Sequence, residues 1–438
     1  MGPINSIRED SEMHANLHLY ICADVSRRKE KDGSSMGDLL NIFRGCSRKP
    51  GSSDDALSEV AFYLDEDALS VVFSFLPAKA FFRLMLVAKR FHQLSTVPRF
   101  LLEQACHNKS ASGFFHRDYY APYRFLLIDP YAGIPANFPD CFNYSDQILA
   151  SAGGLVFYQR QQYWGDEHGS LCVCNPARRT WWTLPSPRSK KFGKEKRVSA
   201  AVIFVYDGND VAEDYKLICL TEATERPAFQ HCGVYDSAAN AWTTDEEIDF
   251  GLRELEYDHP AVCGETVYWA SDCIDYISEP DPYVVSFDTT TKRTEIIPVP
   301  EGAVIDSYDD TIKVGMWDDR LPCLIHHSES AATFTLWMLR RNNEGSPQWV
   351  KSHEISSTRY VRSFVLSHCS TGLLLVYADG YNAYSYSFKD GESQQIGRSG
   401  SLYSKLIPYA NTLRQCSKQE VLLRRPEMTS SYLIARGL

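Results

Sequence analysis

Val173-Cys174-Asn175-Pro176-Ala177-Arg178-Arg179-Thr180-Trp181 sets an apolar strand, a polar turn and an aromatic finish one after another. The same order returns at Val234-Tyr235-Asp236-Ser237-Ala238-Ala239-Asn240-Ala241-Trp242, and again at Ser286-Phe287-Asp288-Thr289-Thr290-Thr291-Lys292-Arg293-Thr294. Asn, Asp and Pro in the turns, with apolar and aromatic residues on either side, describe two strands joined by a hairpin. Weaker echoes lie at Leu339–Trp349 and Phe388–Ile396, and an earlier copy at Asp129-Pro130. The turns near 175, 236, 288, 341 and 389 thus recur about every 50 residues.

Other short apolar runs fill the intervals. Strands are predicted at Leu155–Gln159, Leu171–Cys174, Ala201–Tyr206, Tyr215–Leu220, Thr266–Ala270, Tyr283–Phe287, Phe334–Leu339, Leu373–Tyr377 and Ala383–Phe388. Gly153-Gly154-Leu155 and Gly264-Glu265-Thr266 read as the starts of the inner strand that opens a repeat. A unit of this length made only of strands buries its faces against its neighbours, as the blades of a propeller do. The prediction is a mainly β chain with a β-propeller of about six blades over 121–415, followed by a C-terminal tail or closing strand at 416–438. A pair of β-sandwiches also spaces strands regularly, but it gives no reason for the repeated turn-then-Trp signature.

Upstream the pattern is helical. Leu69, Val72, Phe73 and Leu76 stand at i, i+3, i+4 and i+7, with Asp65 placed to cap the helix. Pro77 ends it and suits the first turn of the next helix, which carries Leu84, Val87, Phe91 and Leu94 on one face. Phe81, Phe82, Met85 and Leu86 add apolar surface elsewhere, more than a two-helix unit can cover. The expected organisation is a disordered tail at 1–55, a small all-α hairpin at 56–103, a linker at 104–120 and then the propeller. The basic cluster Arg27–Lys31 belongs to the tail.

The net charge of −11 argues against a polyanion-binding surface over the whole molecule, so neither nucleic acid nor membrane is an expected partner. The first twenty residues hold four charged side chains between Arg8 and Glu12 and no sustained apolar run, so no secretory signal is read there. Thirteen cysteines are scattered from Cys22 to Cys416 without a C-x-x-C, which is no disulfide framework. These features predict a cytoplasmic or nuclear protein.

The helical segment resembles the F-box, over Leu64 to Phe100. The family's opening Leu-Pro-x-Asp corresponds to Leu64-Asp65-Glu66-Asp67, its central Leu-Pro to Leu76-Pro77, and its Val-Cys-Lys-x-Trp to Val87-Ala88-Lys89-Arg90-Phe91. Asp65, Ala88 and Phe91 depart from the usual Pro, Cys and Trp. Gly153 to Pro185 resembles the F-box-associated, kelch-like propeller of plant-type proteins, through Cys174-Asn175-Pro176, Trp181 and Leu184-Pro185, with Arg178 where Thr is usual. This resemblance implies a non-catalytic substrate-recognition subunit of a Skp-cullin-F-box ubiquitin ligase. Leu64, Leu69, Val72, Leu76, Pro77, Leu84, Val87, Lys89 and Phe91 would contact a Skp-type adaptor and through it a cullin. The competing reading, favoured by the three departures, is an adaptor-independent scaffold or transcriptional co-factor built on the propeller.

Residues for chemistry are sparse. No G-x-G-x-x-G, P-loop or H-E-x-x-H occurs, and His326-His327, adjacent on a strand, point to opposite faces. Asp236–Trp242 lacks the Ser and Gly of a sialidase-type turn. Cys172 and Cys174 share one side of a strand and read as core thiols, so no metal and no cofactor is expected. Two loops are suited to a protein target: one presents Tyr163 and Trp164, the other gathers Arg188, Lys190, Lys191 and Lys194 near Lys196 and Arg197.

Overall fold

The computed structural model describes residues 66–86, 88–117, 122–133, 141–142, 146–160, 170–187, 197–206, 211–222, 229–272, 281–303, 310–318, 320–358, 360–361, 363–399 and 405–422. The tail expected at 1–55 lies outside them.

Four helices come first: α1 (Glu66–Ser74), α2 (Ala78–Met85), α3 (Lys89–Leu94) and α4 (Pro98–His107). Pro77 caps α2 in an extended conformation (φ −57°, ψ 149°), so the corner falls where proline geometry places it. The second helix does not run on to Leu94 as its stripe suggested. Ala88 is extended (φ −144°, ψ 139°) and starts α3 in a new direction. The break lets Phe91 meet Phe73 edge-on at 4.9 Å, while Phe81 packs on Phe100 at 4.8 Å.

Six sheets follow in a ring. Blade one is β3 (Gln147–Ala152), β4 (Leu155–Arg160), β5 (Ser170–Asn175) and β6 (Thr180–Thr183). Blade two is β7 (Val198–Tyr206), β8 (Ala212–Glu222), β9 (Phe229–Asp236) and β10 (Ala241–Asp249). Blade three is β11 (Ala261–Cys263), β12 (Thr266–Ala270), β13 (Tyr283–Asp288) and β14 (Arg293–Pro298). Blade four is β15 (Thr311–Trp317), β16 (Leu321–Ser328), β17 (Thr333–Arg341) and β18 (Pro347–Ser356). Blade five is β19 (Ser363–Cys369), β20 (Gly372–Ala378), β21 (Asn382–Ser387) and β22 (Ser393–Arg398).

Blade six is composite. Its inner strand β23 (Ile407–Tyr409) pairs with β1 (Gly113–His116), which pairs with β2 (Arg124–Leu127). The stretch expected as a linker, 104–120, therefore holds the end of α4 and a propeller strand. The ring is closed by β23, while β24 (Val421–Leu422) only extends blade one beyond β6. The two Gly-led strands, at Leu155 and Thr266, are second strands: β3 and β11 precede them on the inner edge.

Strand alternation builds the core. Within β5, Leu171 and Val173 join blade two's apolar face, whereas Cys172 and Cys174 join blade six's. Each of the six blade-to-blade interfaces holds one such cluster. Trp269 and Phe287 are fully buried in the one between blades two and three; each such side chain contributes on the order of 2 kcal/mol through burial. The recurring tryptophans clamp blades together. Trp242 Nε1 donates to the Pro185 carbonyl at 2.7 Å and Trp349 Nε1 to the Pro298 carbonyl at 2.8 Å, each reaching from an outer strand to the preceding blade.

Antiparallel order gives the ring two unlike ends. The turns between first and second and between third and fourth strands lie at one, the turn end. The remaining connections lie at the other, the loop end. At the turn end Asn175, Asp236 and Asp288 each accept two backbone amides of their own turn through Oδ1. The fourth residue on, Arg179, Asn240 or Lys292, closes each turn with φ near +50 to +60°. Asp129 makes the same turn, with Gly133 as its fourth residue, so the faint copy there is genuine.

Candidate functional site

The N-terminal helices are fastened to the turn end by the segment that follows β23. Asn175, fully buried, donates through Nδ2 to the carbonyls of Thr412 (3.0 Å) and Arg414 (2.7 Å). Thr412 Oγ1 donates to the Gly153 carbonyl, Asn411 Nδ2 to that of Ala132, and the Arg414 guanidinium to those of Gly153 and Ala212. Gly154 has to be glycine: its φ is +88°, and a Cβ would lie 1.8 Å from Thr412 Oγ1. From α4, buried Gln104 accepts the Leu413 amide at 2.8 Å and donates to the Leu76 carbonyl at 2.9 Å. Residues 411–414 thus tie blades six, one and two to the helices in one polar knot. Lys79 adds a bond to the Pro130 carbonyl.

Of the residues expected to meet an adaptor, Leu76, Pro77 and Phe91 are buried within the helices themselves. Leu69, Val72 and Leu84 are half-buried and Lys89 is exposed. Leu64 and the Val87 side chain lie outside the described residues. Among the described residues, the most accessible large apolar side chain is one that the sequence marked as surplus apolar surface but not as an adaptor contact. Leu86 is 88% exposed and lines, with Met85, Ala88, Lys89, His92 and Gln93, a shallow cavity of about 380 Å³. Its exposure follows from the break between α2 and α3, which a continuous helical stripe conceals.

Tyr163, Trp164, Arg188, Lys190, Lys191 and Lys194 also lie outside the described residues. Their flanks are placed, however: Arg160 pairs with Ser170, the end of the β4–β5 ladder farthest from Asn175, and Arg197 directly precedes β7. Both segments therefore leave from the loop end, opposite the helices. Arg197 lies over the Tyr257 ring at 5.1 Å and 3.7 Å from Glu254. Asp258 and Lys405 form an ion pair of 2.7 Å at the same end.

Burial pushes the thiols of Cys172 and Cys174 up, and among the described residues no three His, Cys, Asp or Glu side chains are grouped to hold a metal ion. No described helix is long and apolar enough to cross a membrane.

Residues 62–103 match the F-box domain, and residues 140–415 match the F-box associated beta propeller domain. The chain is an F-box protein with an F-box-associated propeller. F-box domains generally bind Skp-type adaptors within cullin complexes, and this domain pair supports, in general terms, a substrate-recognition role in Skp-cullin-F-box ligases. Among curated proteins none matches this F-box protein significantly. Solved structures similar to it include hydrazine synthase of Kuenenia stuttgartiensis (12% identity, TM-score 0.33), covering 57% of this chain and 70% of that one. A GH93 α-L-arabinofuranosidase of Fusarium graminearum (8%, TM-score 0.34) covers 57% and 79%. An oligogalacturonate lyase of Vibrio parahaemolyticus (11%, TM-score 0.33) covers 65% and 79%. Likeness at this level says nothing about activity.

Proposed function

We propose that this F-box protein is the receptor subunit of a ubiquitin ligase, with the adaptor on the Leu86 surface of α2 and α3 and a protein target on the loop end. The observation that supports it most is the opposition of the two surfaces. The helices are knotted to the turn end through Gln104 and residues 411–414, while the apolar Leu86 faces solvent and the long connections leave from the far side. Such a body holds its target at a fixed span from the adaptor, and through the cullin near a ubiquitin-charged conjugating enzyme, so that transfer gains from proximity. Bond chemistry then belongs to the partners. Cysteines free of disulfides among the described residues support a cytoplasmic or nuclear setting.

The test is capture of purified protein by a Skp-type adaptor. Leu86→Asp places a charge where an apolar contact is expected and leaves the fold alone, because Leu86 packs on little. Affinity should fall by about 2–4 kcal/mol, a loss typical of an interface anchor. Full-strength capture of the folded variant would remove the adaptor from this surface. No capture of the natural chain would leave the adaptor-independent scaffold.

A further inference from the structure

In a ring of six, blades three and six stand opposite each other. Asp258 introduces the inner strand of the first and Lys405 that of the second, yet their charged groups meet at 2.7 Å. The pair therefore spans the central channel near its loop end, and it is not sealed off, since 39% of the Asp258 side chain stays exposed.

Two further polar groups share this space. Lys313, on inner strand β15, is only 7% exposed. Among the described residues its ammonium has no ion pair and no hydrogen bond, only the face of the Phe364 ring at 5.2 Å. Asp310, which heads the same strand, is engaged elsewhere: its Oδ1 accepts the Glu329 amide in the connection between β16 and β17. His259 has φ +60° directly before Pro260, a conformation unfavourable for any side chain and more so ahead of proline. Its Nε2 is buried without a partner. Burial, and then the ammoniums of Lys313 and Lys405, hold this imidazole well below its ordinary pKa, so the ring is neutral. Burial raises the Asp258 carboxyl, but Lys405 and Lys313 outweigh it, so the acid is charged.

Two ammoniums against one carboxylate leave one positive charge in a channel whose low-dielectric walls strengthen its field. The Phe364 face offsets part of the cost of a nearly buried ammonium, and a counter-charge is still wanting. We propose that this channel mouth is an oxyanion site, taking a carboxylate or phosphate group presented by the captured target, with Lys313 and His259 as direct contacts and Lys405 as the neighbouring cation. The proposal rests on the reading that the loop end takes the target. An Nε2–H tautomer of His259 would donate to the same oxyanion that pairs with Lys313.

The experiment uses the full chain and three probes: inorganic phosphate, a random-flank peptide pool carrying one phosphoserine, and the same pool carrying glutamate. Binding is read by fluorescence anisotropy for the pools and by the rise in melting temperature for phosphate. The expected result is binding by the natural chain that weakens about ten-fold or more in Lys313→Met, as loss of a charge-assisted contact should. In buffer free of such anions the variant should melt no lower than the natural chain, because among the described residues Lys313 makes no ion pair or hydrogen bond and Asp258 keeps its pair with Lys405. Preference for the pools over phosphate marks a peptide-borne group; an equal response marks a small free anion; either supports the oxyanion site. Identical responses of the two proteins to every probe, or a variant that melts lower in anion-free buffer, overturn it. Adaptor capture is scored separately, so failure of the receptor reading and failure of this site are told apart.

Discussion

The two ends of the propeller are built by different rules. At the turn end, Asn175, Asp236, Asp288 and Asp129 fold four connections onto themselves with the same pair of side-chain-to-amide bonds. At the loop end the connections differ in length and content, from the residues between β10 and β11, which carry Tyr257 and the Asp258 pair, to the short turn before β21 at Asp379. The repetition is partial, since blades four and five turn differently at Asn342 and Ser387 and Asp379 makes the same turn at the loop end, so the contrast lies mainly in the length and content of the connections. The F-box helices stand on the end with the repeated turns.

If that division is right, damage should scale with the end that is touched. The largest effect is expected from Asn175→Ala, which leaves the Thr412 and Arg414 carbonyls without donors in a buried place. A loss of about 3–5 kcal/mol in denaturant unfolding is expected. A loss under about 1 kcal/mol would mean that the knot is not what joins helices and ring.

A smaller effect is expected from acid. The folded chain keeps His259 neutral, while the unfolded chain protonates it near pH 6.5. Protons therefore favour the unfolded state. Stability is full above about pH 6.5 and falls below it, by up to about 1.4 kcal/mol per pH unit. The slope between pH 6.5 and 5.5 should flatten in His259→Asn, measured as the denaturant midpoint; an unchanged slope would show that His259 is not the group that titrates. Asp258 acts in the same direction but only at lower pH, since its ordinary value is 3.8.

The smallest effect is expected at Tyr381, 76% exposed beside the Asp379 turn. Replacement by Ala should shift unfolding by less than about 0.5 kcal/mol. A larger shift would mean that the loop end also carries structure, and the contrast between the ends would fade.

What the sequence made legible was local. An Asx residue that bonds its own turn declares itself within a few positions, which is why the turns at 175, 236 and 288, and even the faint one at 129, could be placed. The knot was illegible for the opposite reason. Gln104 and Leu413 are 309 residues apart, and nothing about either residue type announces the other. Likewise the break at Ala88 serves a contact between Phe91 and Phe73, so helical periodicity ran straight through it and marked Leu86 only as surplus apolar surface, without its exposure. Gly153-Gly154 was recognised as a blade signal but assigned to the wrong strand, because a glycine turn looks alike whether a strand precedes it or not.

Composite blade six has a bearing on how the chain is made. β1 and β2 leave the ribosome among the earliest strands, but they have no inner neighbour until Ile407–Tyr409 is synthesised, and the knot at 411–414 comes later still. Until then the ring is an open arc with two bare sheet edges, and α4 lacks its Leu413 partner. A product cut short before that point should be an aggregation-prone arc with exposed sheet edges. A closed ring is thus obtained only from chains synthesised through residues 407–414, a form of proofreading that needs no proofreader.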